Sequence, residues 1–547
     1  MRAASNAIRE KPNWWIKIKD PLIVANWRQE LLLESRTREV RFHLSEEQID
    51  YLDWFARKRQ EQVDDTGVEV PIDVGVEGTR RADGLIPEAL KKRLLEGVEK
   101  LMDKPDHLKD WHPYSNNQVL DLVHPSLFPF VSGRTRVTEQ EAIPPLEFIA
   151  AGKTLDATPT SASNLHFRPH FYSDDYQWLP TDFDVTSEGK VKAKSYINNL
   201  HPVEHKEMYP VLEEILEKFL PMFEEVLSEI QEFWHKPRVL KATSDWYGPD
   251  PEFAEDHWND SDDENKDEDE NEEGDGDGGA KPAKAPKEPK KPKKEYIDSD
   301  EYYRTRLPLP IPIPDFTPRE DLPRYNLKTF TTPLQVIIKL ANIELTPENP
   351  LYYGGTWHVE GMANENIVAT GIYYYDINNI SDSRLDFRIQ IEEPTYHQSD
   401  GRGTKHLYGV ENKDPLVQYL DGIETPQDRC LVFPNIYQHY VNSFRLVDPT
   451  KPGSRKLLAF FLVNPEDPIL STTFVPPQQK EWDTRAIVTD VYSKLPPELV
   501  REVEKMVDWP MDLEEAKGHR EDLMHERSSF SDTITELFER PFSLCEH

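Results

Sequence analysis

A histidine, a glutamate and a second, distant histidine form the most informative pattern in this sequence. His358 and Glu360 lie two positions apart, and His439 follows 81 positions after His358. Two imidazoles and one carboxylate on one side of a metal ion are the ligand set of a mononuclear non-haem Fe(II) centre, whose other side stays open. The three residues therefore predict an iron site.

The sequence around these residues predicts how they could meet. Alternate residues of a strand face the same side, so an extended chain would place His358 and Glu360 on one face, about 7 Å apart at Cα. His439 follows the run 430–438, whose order is typical of a strand, a Pro-Asn turn and the start of another strand. We therefore expect His439 at the mouth of a strand.

Other histidines are alternatives to this set. His397 and His406 compete with His439 for the place of third ligand. The intervening run 399–403 has the Ser, Asp and Gly content of an exposed loop, which favours His439. A further candidate cluster in the N-terminal half comprises His166, His170 and His201.

The elements that must hold the site are predicted between residues 325 and 478. Short apolar runs rich in β-branched and aromatic residues alternate with turn sequences there, which predicts strands and an all-β sandwich or jelly roll. The predicted strands lie at 332–345, 367–375, 385–391, 429–433, 439–446 and 456–463.

Helices are predicted on both sides of this region, so the expected fold class is α+β. Apolar residues recur at three- and four-residue steps, which is typical of amphipathic helices, at 45–57, 86–101, 209–234, 495–506, 513–527 and 530–538. Pro221 lies inside the third of these and could kink it. The predicted domains are a mixed N-terminal region, a charged insertion, the strand-rich core and a helical extension, at 1–250, 251–300, 301–480 and 481–547.

The acidic part of the charged insertion supplies about a third of the net charge of −36. Residues 255–277 include 14 acidic residues and one lysine, and residues 281–294 include seven lysines. Such a sequence cannot bury apolar surface, so we predict a disordered insertion. Two alternatives are a nuclear import signal in the lysine tract and an acidic contact surface for basic proteins.

Composition excludes several classes of protein. The chain has 547 residues, and its two cysteines, Cys430 and Cys545, form neither a CxxC pair nor a disulfide framework. No apolar run reaches the ~18 residues of a membrane span, and the N-terminus lacks the apolar segment of a secretory signal. Outside the lysine tract no basic bias points to nucleic acid. We expect an intracellular protein, cytoplasmic or nuclear, without a membrane partner.

The order of these motifs resembles the double-stranded β-helix core of the Fe(II)/2-oxoglutarate-dependent oxygenases, a jelly-roll, cupin-like fold. The resemblance rests on the His-x-Glu pair, the strand 370–374, the Phe-Pro turn before His439 and the run 455–460. It implies that His358, Glu360 and His439 bind Fe(II). It also implies that Arg455 binds the distal carboxylate of 2-oxoglutarate and that Tyr374 contacts the same carboxylate.

The sequence departs from the superfamily pattern in two places. Glu360 stands where aspartate is commoner, a replacement found in the JmjC branch. The gap between His439 and Arg455 is longer than usual, so Arg445 and Lys456 are alternatives, although Lys456 should face away from Arg455. Further candidates for contacts near the metal or substrate are Trp357, Asn364, Asn442, Tyr352 and Tyr353.

Apart from the charged insertion, the whole chain also resembles a family of large fungal proteins catalogued only as a domain of unknown function. The phrases that carry this resemblance lie at 195–202, 353–361 and 433–435. The family resemblance supplies no substrate.

The superfamily resemblance implies a dioxygenase that couples decarboxylation of 2-oxoglutarate to C–H hydroxylation. Its partners would be O2 and a prime substrate, either a small molecule or a protein side chain. One alternative is a cupin-type metalloenzyme that does not use 2-oxoglutarate. The other is a non-enzymatic interaction protein that works through its acidic tract.

Overall fold

The computed structural model describes chiefly residues 14–37, 78–138, 171–233, 325–397, 400–482 and 510–544. The chain forms two compact units. The first comprises Met1–Pro237, Phe316–Ile391 and Pro415–Arg540, and the second comprises Arg238–Asp315, Glu392–Asp414 and Pro541–His547. The predicted helix over 45–57, the charged insertion and most of the predicted helix over 495–506 lie outside the described residues. The predicted domain boundaries stay a prediction.

The described part of the first unit is rich in antiparallel strands. Before residue 325 they are β1 (Ile72–Asp73), β2 (Arg80–Asp83), β3 (Val119–Val123), β4 (Phe130–Val131), β5 (Arg136–Val137), β6 (Lys153–Thr154), β7 (Tyr176–Gln177), β8 (Thr181–Val185) and β9 (Val191–Ala193). After it they are β10 (Leu334–Leu345), β11 (Leu351–Tyr352), β12 (Ile367–Asn378), β13 (Arg384–Gln390), β14 (Val417–Glu424), β15 (Arg429–Pro434), β16 (Gln438–Val441), β17 (Phe444–Arg445) and β18 (Gly453–Val463).

The described helices flank these strands in the chain. They are α1 (Trp14–Lys17), α2 (Pro21–Thr37), α3 (Glu88–Met102), α4 (Met208–Phe233), α5 (Gly401–Tyr408) and α6 (Leu513–Phe538). The α3 and α4 helices match predicted helices closely, and α4 continues through Pro221. Among the described helices, none combines the length and the apolar composition that crossing a membrane needs.

The larger sheet is built on three long strands at its centre. Its order is β1-β2-β15-β12-β18-β10-β8-β9, and β3 also pairs with β10. The central strands β12, β18 and β10 are nearly all buried, because apolar side chains occupy both faces. A buried sheet of this kind is a rigid support for residues at its edges and ends.

The smaller sheet, β14-β13-β16, faces the larger one across a shared apolar core. Ile337, Ile372 and Phe461 of the larger sheet pack in one cluster with Leu385 and Phe387 of the smaller sheet. The remaining short strands β11 and β17 pair with each other. The strand β14 was not predicted, whereas the predicted strand over 439–446 divides into β16 and β17.

The α4 helix covers the outer face of the larger sheet. Phe219 and Phe223 of this helix pack over β12 and β18, with the Phe219 and Phe460 rings 5.4 Å apart. This approach is close because Gly371 of β12 has no side chain where the two helix rings lie. The predicted mixed α+β fold with strand-rich antiparallel sheets is therefore confirmed.

The C-terminal helix α6 is a single helix, whereas the sequence predicted two, over 513–527 and 530–538. Asp512 accepts a hydrogen bond from the Glu515 N–H and so caps its first turn. Ion pairs join α6 to the rest of the first unit at Arg520–Asp110 and at Arg527–Glu365. The Ser531 hydroxyl of α6 also donates to the Trp357 carbonyl, next to His358.

Among the described residues of the second unit, the exposed loop expected between His397 and His406 is not observed. Gly401–Tyr408 forms the helix α5 despite its two glycines. The Asp400 side chain accepts from the Gly403 N–H at its N-terminus, and Gly409 adopts a left-handed conformation at its C-terminus. These two caps satisfy the free backbone groups and offset low helix propensity.

Candidate metal centre

His358 and His439 are brought together by direct pairing of their backbones. The His358 N–H donates to the His439 carbonyl over 3.2 Å, and the His439 N–H donates back over 2.9 Å. This bridge continues the edge of the smaller sheet beyond β16. The two imidazole rings consequently lie side by side, with centroids 4.5 Å apart.

Glu360 completes the cluster from the same segment as His358. One of its carboxylate oxygens lies 3.3 Å from His439 Nε2 and 3.9 Å from His358 Nε2. One ligand atom from each residue can be chosen so that all three lie within 4.8 Å of one another. Convergence of two imidazole nitrogens and one carboxylate is suited to a divalent transition metal.

A backbone carbonyl orients the His358 ring. His358 Nδ1 lies 2.7 Å from the Thr356 carbonyl oxygen, which can only accept. Nδ1 therefore carries the proton, and in the neutral ring Nε2 holds the free electron pair on the side of Glu360. A hydrogen bond to the remote nitrogen is a common way to fix a metal-binding histidine.

Asn435 holds the backbone of Glu360 from across the fold. Its side-chain oxygen accepts from the Glu360 N–H at 2.9 Å, and its side-chain nitrogen donates to the Glu360 carbonyl at 2.8 Å. The same nitrogen lies 3.1 Å from the Ile367 carbonyl oxygen. Asn435 belongs to the predicted Pro-Asn turn, but its bond with Glu360 was not predicted.

The pKa values favour the protonation states that bind metal. Burial, together with the charge of the neighbouring His439, lowers the pKa of His358 to about 4, although Glu360 acts in the opposite direction. Burial raises the pKa of Glu360, but the contact with His439 and the charge of His358 outweigh it and bring the pKa to about 2. At neutral pH the site therefore presents a neutral His358 and an ionised Glu360.

The cluster is walled on one side and open on another. The His439 ring packs against Phe433 and Phe387, with centroid distances of 4.8 and 6.2 Å. The His439 side chain is 3% exposed and that of Glu360 14%, whereas that of His358 is 37% exposed. A ligand could therefore reach the cluster from the side of His358.

Arg455 lies fully buried on β18 with much of its hydrogen-bonding capacity unused. One Nη donates to the Thr425 hydroxyl over 2.8 Å, and the guanidinium lies 4.5 Å from the Tyr374 ring centroid. Its Nε and other Nη have no hydrogen-bond partner among the described residues. Burial lowers the pKa of Arg455, while Tyr374 and Tyr352 act in the opposite direction.

The two alternatives to Arg455 are placed differently. Lys456 pairs with Asp376 over 2.7 Å, and Arg445 is exposed. Arg455 is thus the one of the three that combines full burial with unused donors. A buried guanidinium of this kind matches a carboxylate ligand, which can accept two parallel hydrogen bonds.

The other residues singled out from the sequence do not touch the three ligand atoms. The Trp357 ring packs on Tyr440 and on the Arg388 guanidinium, at centroid distances of 4.4 and 4.6 Å. Asn364 donates to the Tyr176 carbonyl, and the Asn442 N–H donates to the Arg384 carbonyl.

Of the two tyrosines, Tyr352 stacks on Phe444, with ring centroids 4.9 Å apart, and Tyr353 is 82% exposed. Tyr353 therefore lies at the surface, so this candidate from the sequence does not wall the cluster.

Among the described residues, no alternative histidine belongs to the group formed by His358, Glu360 and His439. His397 and His406 belong to the second unit. His201 packs on Trp482, and its Nδ1 accepts from the Val203 N–H, so its ring caps a turn. His166 and His170 lie outside the described residues.

A second group of potential metal ligands was missed in the sequence. His112 Nδ1 donates to Asp121 over 2.7 Å, and His124 Nδ1 accepts from the Ser126 N–H over 3.2 Å. One ligand atom from each of His112, Asp121 and His124 again lies within 4.8 Å of the others. In both rings these bonds use Nδ1 and leave Nε2, so the group is a second candidate for a metal site in addition to the first.

The pKa values of this group are shifted in the same directions as those of the first cluster. Burial lowers the pKa of His124 well below its usual value. Burial raises the pKa of Asp121, but His124 and His112 outweigh it and bring the pKa to about 2. A sequence signal was weak here, because His112 approaches Asp121 through the pairing of the 110–112 segment with β3.

Fold and site together define a mixed α+β protein with antiparallel sheets and a His-Glu-His cluster. Within that class, the chain belongs to the family described as "Protein of unknown function (DUF4246)", which matches residues 46–486. The part described as "Domain of unknown function DUF4246, N-terminal" matches residues 1–30. The predicted membership of a family of unknown function is confirmed. No curated protein matches the chain.

Three solved structures are similar to parts of the chain. An Fe(II)/α-ketoglutarate-dependent dioxygenase, TqaL, is 15% identical over 29% of this chain and 50% of its own, with a TM-score of 0.17. A bsmA homologue from Methylobium petroleophilum is 10% identical over 24% and 42%, with a TM-score of 0.15. The oxalate decarboxylase of Lactobacillus farciminis is 12% identical over 34% and 46%, with a TM-score of 0.12. The chain thus spans half or less of each.

Proposed function

We propose that this protein is an Fe(II)/2-oxoglutarate-dependent dioxygenase that hydroxylates a C–H bond. The observation that carries the proposal is the combination of two features in one sandwich. His358, Glu360 and His439 converge on one point, and the buried Arg455 offers unused donors beside Tyr374. The first feature suits the metal and the second suits the distal carboxylate of the co-substrate.

The arrangement of strands supports a double-stranded β-helix for the core. The larger sheet contains the order β15-β12-β18-β10, and the smaller sheet contains β14-β13-β16. The chain therefore passes between the sheets repeatedly, as in a jelly roll. The pair β11 and β17 lies in the chain just before His358 and just after His439, respectively.

The donor set fits Fe(II). His358 and His439 would bind through Nε2, because Nε2 of each ring is the nitrogen nearest the Glu360 carboxylate. When bound, Fe(II) and 2-oxoglutarate would allow O2 to oxidise the substrate C–H bond, with one oxygen atom entering the hydroxylated product, the other entering succinate, and CO2 released. The Asn435 side chain fixes the backbone of Glu360 through two hydrogen bonds.

Arg455 and Tyr374 would bind and orient the co-substrate. Burial raises the pKa of the Tyr374 hydroxyl, so it stays protonated and can donate to a carboxylate. The guanidinium contributes charge and two N–H groups in a fixed plane. Phe387 and Phe433 keep water from the His439 side of the metal.

The test is an anaerobic titration of the purified protein with Fe(II) and then with 2-oxoglutarate. We expect a visible metal-to-ligand charge-transfer band that saturates at one equivalent of 2-oxoglutarate per chain. Admission of air should then release succinate, even slowly and without a prime substrate. Absence of both the band and succinate would exclude the proposal.

The same titration separates the alternatives. A cupin-type metalloenzyme would bind the metal but show no 2-oxoglutarate band, and replacement of Arg455 would leave its metal chemistry unchanged. A protein that binds neither metal nor 2-oxoglutarate would favour the interaction role of the acidic tract. For all three alternatives, the metal content of the protein is measured before and after chelation, so that binding is compared with the metal-free protein.

A further inference from the structure

Lys339 is a charged residue in the apolar space between the two sheets. It lies on β10 between Ile337 and Ala341, and alternate residues of a strand share a face. Ile337 belongs to the core cluster between the sheets. Lys339 also pairs in register with Ala459 of β18, which belongs to the same cluster. Its side chain therefore starts on the inner face of the larger sheet.

This inner face leads towards the candidate metal centre. The cluster that contains Ile337 and Ala459 also contains Phe387 and Phe433, whose rings contact His439. On the other side of Lys339, Ala341 pairs in register with Asp121.

The carboxylates of Glu360 and Asp121 each already have a partner. Glu360 contacts His439, and Asp121 contacts His112. None of the ion pairs among the described residues includes Lys339, although its side chain is half-buried. Within the described part of the chain, the Lys339 ammonium is therefore a cation without a counter-ion beside the space between the sheets, and the carboxylate of a ligand could pair with it.

Lys339 is also separated from the proposed site for 2-oxoglutarate. On β10, Lys339 pairs with Ala459, and Ile343 pairs with Arg455. Four positions along a strand correspond to about 13 Å. The two cations therefore lie at different levels along the strands, with Arg455 beside the last residues of β10 and Lys339 near the middle of β10.

We propose that Lys339 binds a carboxylate group of the prime substrate and so holds the substrate beside the metal. This inference rests on the proposed function and adds to it a substrate class, an organic acid. A carboxylate is favoured over a phosphate because phosphate sites usually combine several donors or a helix N-terminus, whereas Lys339 offers one ammonium.

The test uses the whole protein loaded with Mn(II) in place of Fe(II) and saturated with 2-oxoglutarate, which occupies the Arg455 end. The probes are acetate, benzoate and octanoate, each compared with its neutral amide, together with inorganic phosphate. Binding is followed by ligand-observed NMR and by the shift of the thermal midpoint. We expect at least one carboxylate to bind saturably and its amide at least tenfold more weakly.

Variants assign this binding to Lys339. Lys339→Met keeps the aliphatic length and should weaken the carboxylate at least tenfold, whereas Lys339→Arg should keep most of the affinity. Lys456→Met, which removes an ammonium paired with Asp376, is the matched control and should bind like the wild type. Equal binding of carboxylate and amide, preference for phosphate, or unchanged binding by Lys339→Met would overturn the inference.

Failure of this inference and failure of the proposed function give different results. If Lys339→Met loses affinity for 2-oxoglutarate as Arg455→Leu does, the lysine serves the co-substrate, and the dioxygenase proposal stands without the inference. If the wild type binds no 2-oxoglutarate but binds a carboxylate through Lys339, the dioxygenase proposal fails instead. Circular dichroism and the thermal midpoint of each variant confirm that it is folded.

Discussion

The backbones of His358 and His439 form a mutual pair, in which each N–H donates to the carbonyl of the other. The two residues are 81 positions apart in the sequence. Because the pairing fixes both Cα positions, the imidazoles need only rotate about their side-chain bonds to share a metal. Such preorganisation lowers the entropy lost when a metal binds.

The first prediction concerns this pair and its carboxylate. His439→Ala removes one of three ligands and should weaken Mn(II) or Fe(II) binding by more than about 100-fold, beyond the effect usual for residues that only support a ligand. Isothermal titration calorimetry under anaerobic conditions measures this metal affinity. His112→Asn in the other His-Asp-His group is the control and should keep a stoichiometry of one metal. Loss of metal in His112→Asn instead would move the metal site to that group.

The second prediction concerns Asn435, which contacts Glu360 without reaching the metal. Asn435→Ala removes two hydrogen bonds to the Glu360 backbone and should weaken metal binding about 10- to 100-fold. Asn198→Ala is the matched control, because the Asn198 side chain also donates to a backbone carbonyl, that of Phe128. Both variants should lose stability, but Asn198→Ala should keep the metal affinity. Equal metal affinities would show that Asn435 is only structural.

The third prediction separates binding from stability at Arg455. Arg455→Leu should weaken 2-oxoglutarate at least ~30-fold, because a buried charged partner of a carboxylate contributes about 2 kcal/mol or more. The same variant should raise the thermal midpoint of the protein without ligands, since it removes a buried cation with unused donors. Exposed Arg445→Leu serves as the control for both measurements. A variant that binds 2-oxoglutarate normally would assign the carboxylate to another residue.

The fourth prediction follows from the lowered pKa of His358 in the metal-free protein. Between the unperturbed pKa, about 6.5, and the folded value of about 4, the unfolded chain binds a proton that the folded protein does not. Stability should therefore fall as pH decreases through this window. His358→Gln lacks this proton, so its thermal midpoint should fall less than that of the wild type between pH 7 and 4. A parallel decrease in both proteins would contradict the lowered pKa.

The sequence predicted the three residues of the cluster better than the residues that hold them in position. The types and spacing of His358 and Glu360 carry their chemistry directly, and the Pro-Asn turn before His439 indicated a strand end. By contrast, the bond from Asn435 to Glu360 depends on how two distant segments pack. The proximity of Lys339 to the metal centre depends on the same packing, since a single lysine in a strand carries no signal of its neighbours.

Prediction of secondary structure from the sequence failed where the composition of a segment was ambiguous. The strand β14 contains Gln418 and Glu424 among its apolar residues, so its pattern resembled a loop. The helix α5 forms because Asp400 and Gly409 cap it, although its glycines predicted a loop. In α6, the two predicted helices left out Ser528 and Ser529, but the Ser529 hydroxyl donates to the His525 carbonyl one turn earlier and the helix continues.

The fifth prediction tests the packing of α4 on the larger sheet. A Cβ at Gly371 would lie 2.8 Å from a Phe219 ring atom and 2.9 Å from a Phe223 ring atom. Both rings are buried, so Gly371→Ala must displace them and should cost about 1–3 kcal/mol of stability. Gly518→Ala on α6 meets nothing within 4 Å and should instead stabilise by about 0.5–1 kcal/mol, since alanine favours a helix. Chemical denaturation compares the two, and shifts of the same sign would contradict the close contact at Gly371.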